Sequence, residues 1–229
     1  MPDPAWQTHE QSLRRHFDQG DDPAKPWRWS TIIATCFVGP GKLLTAEVAE
    51  MRLNGALPEP GWADEDEPNL LHQRYHLWRW QQNHFGYPIS ELRSIQEFGG
   101  GYGAMAVVAS RLGFRGAYAI ADLPDFERLQ DQHLAGRHLG CEVIHERIRN
   151  PDLLVSCFAL DETPVEEREA FMAGLQPKTY LFAWGNGASQ AWFTGWAQRH
   201  FERTGTVWRI EPGAQHSSHT YMTSTQAGR

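Results

Sequence analysis

Cysteine is scarce in this chain of 229 residues: Cys36, Cys141 and Cys157 form no CxxC pair and no zinc-type spacing. That excludes a disulfide framework and leaves three small hydrophobes suited to a reducing compartment. Basic charge is short as well. The 21 Lys and Arg are outnumbered by 28 Asp and Glu, a net charge of -7, whereas a nucleic-acid surface needs clustered cations to meet phosphates. Long apolar runs are missing, because Ile32–Val38 is broken by threonine and falls far short of the ~20 residues that cross a bilayer. The opening Met1-Pro2-Asp3-Pro4 has neither the basic region nor the apolar core of a signal peptide. The expectation is a soluble, cytoplasmic protein with no membrane and no nucleic-acid partner. Repeats of 20–50 residues are absent too. What is plentiful is 10 Trp and 11 His, groups that either line a polar organic pocket or fill a core.

Residues 1–89 read as a helical cap or lid. A helix spans Pro4 to Phe17, and Asp21-Asp22-Pro23 breaks it. Thr31 to Asn54 has helical spacing, split by Gly39-Pro40-Gly41. The acid run Asp64–Glu67 reads as a solvated loop. Asn69 to Phe85 returns to helix, with Leu71, Tyr75, Trp78 and Phe85 on one face.

From residue 90 short apolar runs alternate with helical segments. The runs are 94–98, 116–121, 141–145, 153–158, 179–183, 206–210 and 219–223. Helices are expected over 104–112, 125–138, 164–175 and 188–203, the third capped by Thr163 with Pro164 at its first position and Glu166 at its third. Such alternation predicts an α/β fold, a Rossmann-like three-layer sheet covered on both faces. Only a turn near Glu211-Pro212-Gly213 separates the last two runs, so they should pair antiparallel.

The most informative segment is Ser94 to Ala106, a strand, a glycine-dense turn and a helix start. Glycine lets a backbone turn through positive φ and lets a ligand approach the main chain. Asp122 follows the second strand, where an acid can accept both hydroxyls of a ribose. Two cofactor classes share this arrangement. Gly99-x-Gly101-x-x-Ala104 is a softened dinucleotide fingerprint, whereas Glu97-x-Gly99-x-Gly101-x-Gly103 is similar to the first motif of class I methyltransferases that use S-adenosylmethionine. The second accounts for the acid before the first glycine. None of the six tyrosines has lysine four residues on, so the pair of a short-chain dehydrogenase is missing. An NAD-dependent oxidoreductase and a catalytically degenerate binding module remain the alternatives.

Three segments in the same order resemble the sugar O-methyltransferase family: EFGGGYG from Glu97 to Gly103, YAIADLP from Tyr118 to Pro124 followed by Leu129-Gln130, and DLLVSCFALDE from Asp152 to Glu162. The likeness covers roughly residues 90–185. Cys157 stands where the family has asparagine, and Asp161 where it has serine. The resemblance implies a seven-stranded methyltransferase sheet with its last strand antiparallel, S-adenosylmethionine as cofactor, S-adenosylhomocysteine as product, and transfer to a hydroxyl of a sugar or glycosylated small molecule (EC 2.1.1). A homodimer is left open.

Ligands of a parallel sheet sit at the carboxyl ends of its strands, and that rule gathers the expected site residues. Cofactor contacts are expected from Glu97, Gly99, Gly100, Gly101, Tyr102, Gly103, Asp122, Leu123, Glu146, Ser156 and Cys157. A sugar hydroxyl needs a base, and Glu162 and His219 lead the candidates, with Asp161 and His216 behind them. The acceptor should meet Tyr75, His76 and Arg79 on the helix face that also carries His72, together with Trp184 and Asn186. His216-Ser-Ser-His219 lacks adjacent carboxylate or cysteine ligands, and no metal is expected.

Overall fold

A computed structural model of the chain describes residues 4–35, 42–56, 67, 69–84, 87–185, 190–213 and 219–225. Four helices come first: α1 (Pro4–Gln19), α2 (Ser30–Thr35), α3 (Lys42–Leu53) and α4 (Asn69–Asn83). Then β1 (Ser94–Phe98), α5 (Ala104–Arg111), β2 (Ala117–Ala121), α6 (Pro124–Ala135), β3 (Glu142–Ile144) and β4 (Leu153–Cys157) alternate. The chain continues through α7 (Ala159–Glu162), α8 (Val165–Met172), β5 (Thr179–Gly185), α9 (Gln190–Thr204), β6 (Val207–Pro212) and β7 (His219–Thr225).

The strands form a seven-stranded sheet ordered β3-β2-β1-β4-β5-β7-β6. Pairings from β3 through β5 are parallel, and β7 runs antiparallel to both β5 and β6. The expected α/β sheet with its antiparallel last strand is therefore the observed one. Strand alternation sorts the side chains into two faces. Leu153, Val155, Leu181, Ala183 and Tyr221 pack with residues of α4, α5 and α6. Leu154, Tyr180, Phe182, Trp184 and Met222 pack with α8 and α9 on the other face. No described helix is long and apolar enough to cross a membrane.

Three local expectations change. The helix expected over 164–175 is α8, over Val165–Met172, but a short α7 (Ala159–Glu162) precedes it, and Thr163 closes α7 instead of capping α8. Its φ and ψ are -89° and 140°, and its hydroxyl donates to Ala159 O at 2.7 Å. The following Pro164 clashes with a helical residue before it, which pushes Thr163 into the extended region. Glu67, the last acid of the run read as solvated, is completely buried. Its carboxylate meets Arg137 at 2.7 Å and the hydroxyl of Tyr102, and burial raises its pKa against those two partners. Finally, α4 is buried nearly all round, at Leu70, His72, Tyr75, His76, Leu77, Trp78 and Trp80, because α3, α5, β5 and β7 all border it. Leu71 is only partly buried, and Phe85 lies outside the described residues.

Candidate active site

The turn between β1 and α5 passes through positive φ at Gly99 (74°), Gly101 (58°) and Gly103 (87°). Packing also demands glycine here. A Cβ on Gly99 would collide with that of Ala159, and one on Gly100 would fall 2.6 Å from Ile120 Cγ2. The glycine density thus has a cause inside the fold, and the case for a ligand rests on what flanks it.

Asp122 flanks it at the carboxyl end of β2. Its Oδ2 accepts from Gly101 N at 2.9 Å and from Gln130 Nε2 at 3.1 Å, and its Oδ1 accepts from Leu123 N at 2.8 Å. The Gln130 amide also donates to Gly101 O at 2.8 Å. Both neighbours are acceptors, so the amide nitrogen must face them. Burial lifts the Asp122 carboxyl to about 7, against the opposing pull of the Leu123 and Gly101 amides. At the end of β1, Glu97 is buried, accepts from Tyr118 Oη at 2.8 Å, and is pushed up to about 8 by burial, with the charge of Asp122 adding to the rise. Two carboxyl groups that disfavour ionisation thus stand beside a partly buried stretch of glycine backbone, Gly99 to Gly101. Gln130 and Tyr118 were carried in the sequence only as motif letters. The readable signal was a glutamine within the buried stripe Phe126, Leu129, Gln130, His133 of α6.

The other expected cofactor contacts are more scattered. Gly100, Tyr102 and Gly103 belong to the turn, but the Tyr102 hydroxyl is engaged by Asn69 Nδ2 at 3.0 Å and by Glu67. Glu146 is exposed, two residues past β3. Ser156 Oγ donates to Phe98 O at 3.2 Å and accepts from Leu160 N at 3.1 Å, which ties β4 to the end of β1. Burial, with the charges of Glu97 and Asp161, holds the Cys157 thiol well above its ordinary pKa. Next to it Phe158, with φ 72°, is the one non-glycine residue at positive φ among the described residues.

Of the expected bases, Asp161 is partly buried and lifted to about 7 by burial and by the neighbouring Glu162, whereas the Glu162 side chain is exposed. His219 pairs with Gly185 at the end of β5. Its side chain, His216 and Asn186 lie outside the described residues. Trp184 points to the α9 face, where it is fully buried against Phe193; it is not beside the glycine turn.

The α4 face expected to meet the acceptor is tied to its neighbours. Tyr75 Oη donates to Glu50 Oε2 at 2.7 Å, and Arg79 bridges Glu50 at 2.9 Å and Glu211 at 2.8 Å. Deeper in, Glu47 Oε2 lies 2.8 Å from His72 Nδ1, and His72 Nε2 lies 3.0 Å from His76 Nε2. Glu47 went unnoticed in the sequence, because an acid within Ala46-Glu47-Val48 looks like the solvent face of a helix.

No family model matches the chain, and no curated protein matches it. Solved structures do. The methyltransferase domain of bacterial CtHen1 is 14% identical with a TM-score of 0.52, over 68% of this chain and 99% of that one. Magnesium protoporphyrin IX methyltransferase (ChlM) from Synechocystis PCC 6803, solved with bound SAH, is 10% identical with a TM-score of 0.51, over 96% and 100% of the two chains. At such low identity the likeness is one of architecture, and the chain has the fold of these S-adenosylmethionine-dependent methyltransferases.

Proposed function

We propose that the protein is an S-adenosylmethionine-dependent O-methyltransferase whose acceptor is a hydroxyl of a sugar or glycosylated small molecule. The observation that carries the cofactor is Asp122, clamped by Gly101, Leu123 and Gln130 at the carboxyl end of β2 beside the glycine turn. The donor set suits a nucleoside. A carboxylate held by fixed donors keeps spare lone pairs for ribose hydroxyls, and Gly99 to Gly101 offer backbone with no Cβ in the way. When bound, S-adenosylmethionine supplies an electrophilic methyl group on a sulfonium.

The protein's part in such a reaction is to hold the nucleophile in line and to take its proton. Asp161, partly buried and with its pKa near neutrality, suits proton transfer better than the exposed Glu162. The sugar in this reading rests on the likeness of residues 90–185 to the sugar O-methyltransferase family, and the net charge of -7 favours a small acceptor over a nucleic acid. The test is methyl transfer from methyl-labelled S-adenosylmethionine to a panel of methyl glycosides. Label in a glycoside methyl ether, lost in Asp122→Asn, is the expected result. Label confined to added RNA or peptide would contradict the sugar acceptor.

A further inference from the structure

Arg168 belongs to the acid-rich stretch Val165-Glu166-Glu167-Arg168-Glu169 of α8, yet it is only 1% exposed. Three rings of α9 close over it. The guanidinium carbon lies 4.3 Å from the ring centre of Trp192, 5.0 Å from that of Phe193 and 5.3 Å from that of Trp196. A cation at such depth persists only when something offsets its desolvation.

The offset is incomplete. Arg168 Nη2 donates to Thr163 O at 2.6 Å, and Asp161 O lies 3.5 Å from the same nitrogen. Nε and Nη1 are buried with no acceptor among the described residues. Ring faces attract the positive charge but lend no lone pair to these hydrogens. Of the two acids whose charge reaches Arg168, Glu169 already accepts from Trp196 Nε1 at 2.6 Å. The other, Asp161, has a buried Oδ1 without a donor among the described residues. Unmet donors and an unmet acceptor therefore adjoin one another. An apolar ligand would satisfy neither, whereas a hydroxyl satisfies both, because it donates one hydrogen and accepts on its oxygen.

The place is right for the reaction. Ala159, the first residue of α7, packs on Gly99 of the glycine turn, and Asp161 follows two residues later. The Gly185 amide at the end of β5 acts on the Asp161 carboxyl, and Trp192 lies in the first turn of α9, the helix after β5. The set thus gathers at the carboxyl ends of β4 and β5, where ligands of such sheets bind. Solvent reaches it at Asp161, which is partly exposed, and at Trp192, which is 42% exposed. A sugar fits that combination: one face of its ring is apolar and covers an indole, and hydroxyls stand around its rim.

We propose that Asp161, Arg168 and Trp192 form the subsite for the acceptor sugar, whose ring lies on the Trp192 indole while one hydroxyl donates to Asp161 Oδ1 and accepts from the unmet donors of Arg168. The proposal rests on the methyl-transfer reading above. It moves the acceptor away from the α4 face, where Tyr75 and Arg79 are engaged by Glu50 and Glu211. The clamped hydroxyl is the one that reacts. Its oxygen forms a bond to the methyl carbon as the carbon–sulfur bond breaks, with that electron pair left on sulfur. Its proton goes to Asp161 and returns to solvent after the methyl ether leaves.

Saturation-transfer NMR on a panel of methyl glycosides, with S-adenosylhomocysteine present, tests the subsite without turnover. The wild type should pass saturation to the ring protons of at least one glycoside. Trp192→Ala, a change at an exposed position, should abolish that signal while keeping affinity for S-adenosylhomocysteine. In methyl transfer to the same glycoside, Trp192→Ala should lower kcat/KM about tenfold, chiefly through KM, and Trp192→Phe should keep most of it. Arg168→Lys keeps the charge but loses the guanidinium donors, and should lower kcat/KM about tenfold or more. Trp192→Ala that binds and methylates glycosides like the wild type overturns the proposal. So does a folded Arg168→Lys with wild-type kcat/KM; should that variant not fold, the Trp192 pair decides alone. A wild type that binds S-adenosylhomocysteine but passes saturation to no glycoside overturns it as well. Failure of the wild type to bind S-adenosylhomocysteine would instead sink the methyltransferase reading, and saturation transfer to glycosides alone would still decide whether Trp192 holds a sugar.

Discussion

Glu97 is the residue whose chemistry departs furthest from its letter. In the sequence it is the acid of a motif; in the fold it is a buried carboxyl with one phenol donor and a pKa lifted from 4.5 to about 8. A raised carboxyl pKa means that the folded state holds its proton longer than the unfolded chain. Its stabilising contribution is full below about pH 4.5 and is lost as pH rises through about 8. Glu97→Gln removes that titration. The variant should match the wild type in melting temperature near pH 4.5 and exceed it by several degrees at pH 9, measured by calorimetric scans across that range. At this scale the sequence was readable where backbone geometry forces a residue type, as at Gly99 and Gly103. It was mute on which acids are buried. Glu47, Glu67 and Glu97 all lie within 4% of full burial, and only their neighbours in space explain why.

Elements were readable wherever an apolar period ran uninterrupted. β1 falls on residues 94–98 as expected, and the other strands begin or end within about two residues of the expected runs. The misses have local causes. Thr163 has the composition of a cap, but Pro164 decides its conformation, and the hydroxyl turns back to Ala159. The polar face of α4 looked ready for a ligand because its partners come from α3 and β6, distant in sequence. Arg79 shows the consequence: it bonds Glu50, Glu211 and Pro212 O, and so pins α4 to the end of β6. Glu211 also accepts from Asn83 at 3.1 Å. Glu211→Ala should lower unfolding free energy by about 1–2 kcal/mol, since the pair is only partly buried. Urea titration of the two proteins measures the difference, and an unchanged midpoint would mean that this link adds nothing.

Across the whole molecule the N-terminal helices and the sheet share one interior. Leu13, Trp27, Trp29, Tyr75 and Trp80 belong to the same buried cluster as Ile95, Tyr118 and Val155, so much of the tryptophan surplus is core. Trp184, Phe193 and Trp196 fill the opposite layer. The buried polar cluster was the hardest part to foresee, because Glu47, His76 and Tyr221 come together only after α3, α4 and β7 have docked. The proposed cofactor surface was easier, because β1, the glycine turn, β2 and Asp122 follow one another along the chain. That surface carries the central claim, and calorimetric titration with S-adenosylhomocysteine tests it most directly. Asp122 must be ionised to accept ribose hydroxyls, and its carboxyl is lifted to about 7. Affinity should therefore rise as pH goes from 6 to 8, and Asp122→Asn should bind weakly with a flat profile. Tight binding that is indifferent to pH and unchanged in Asp122→Asn, or no binding by the wild type, would contradict the account.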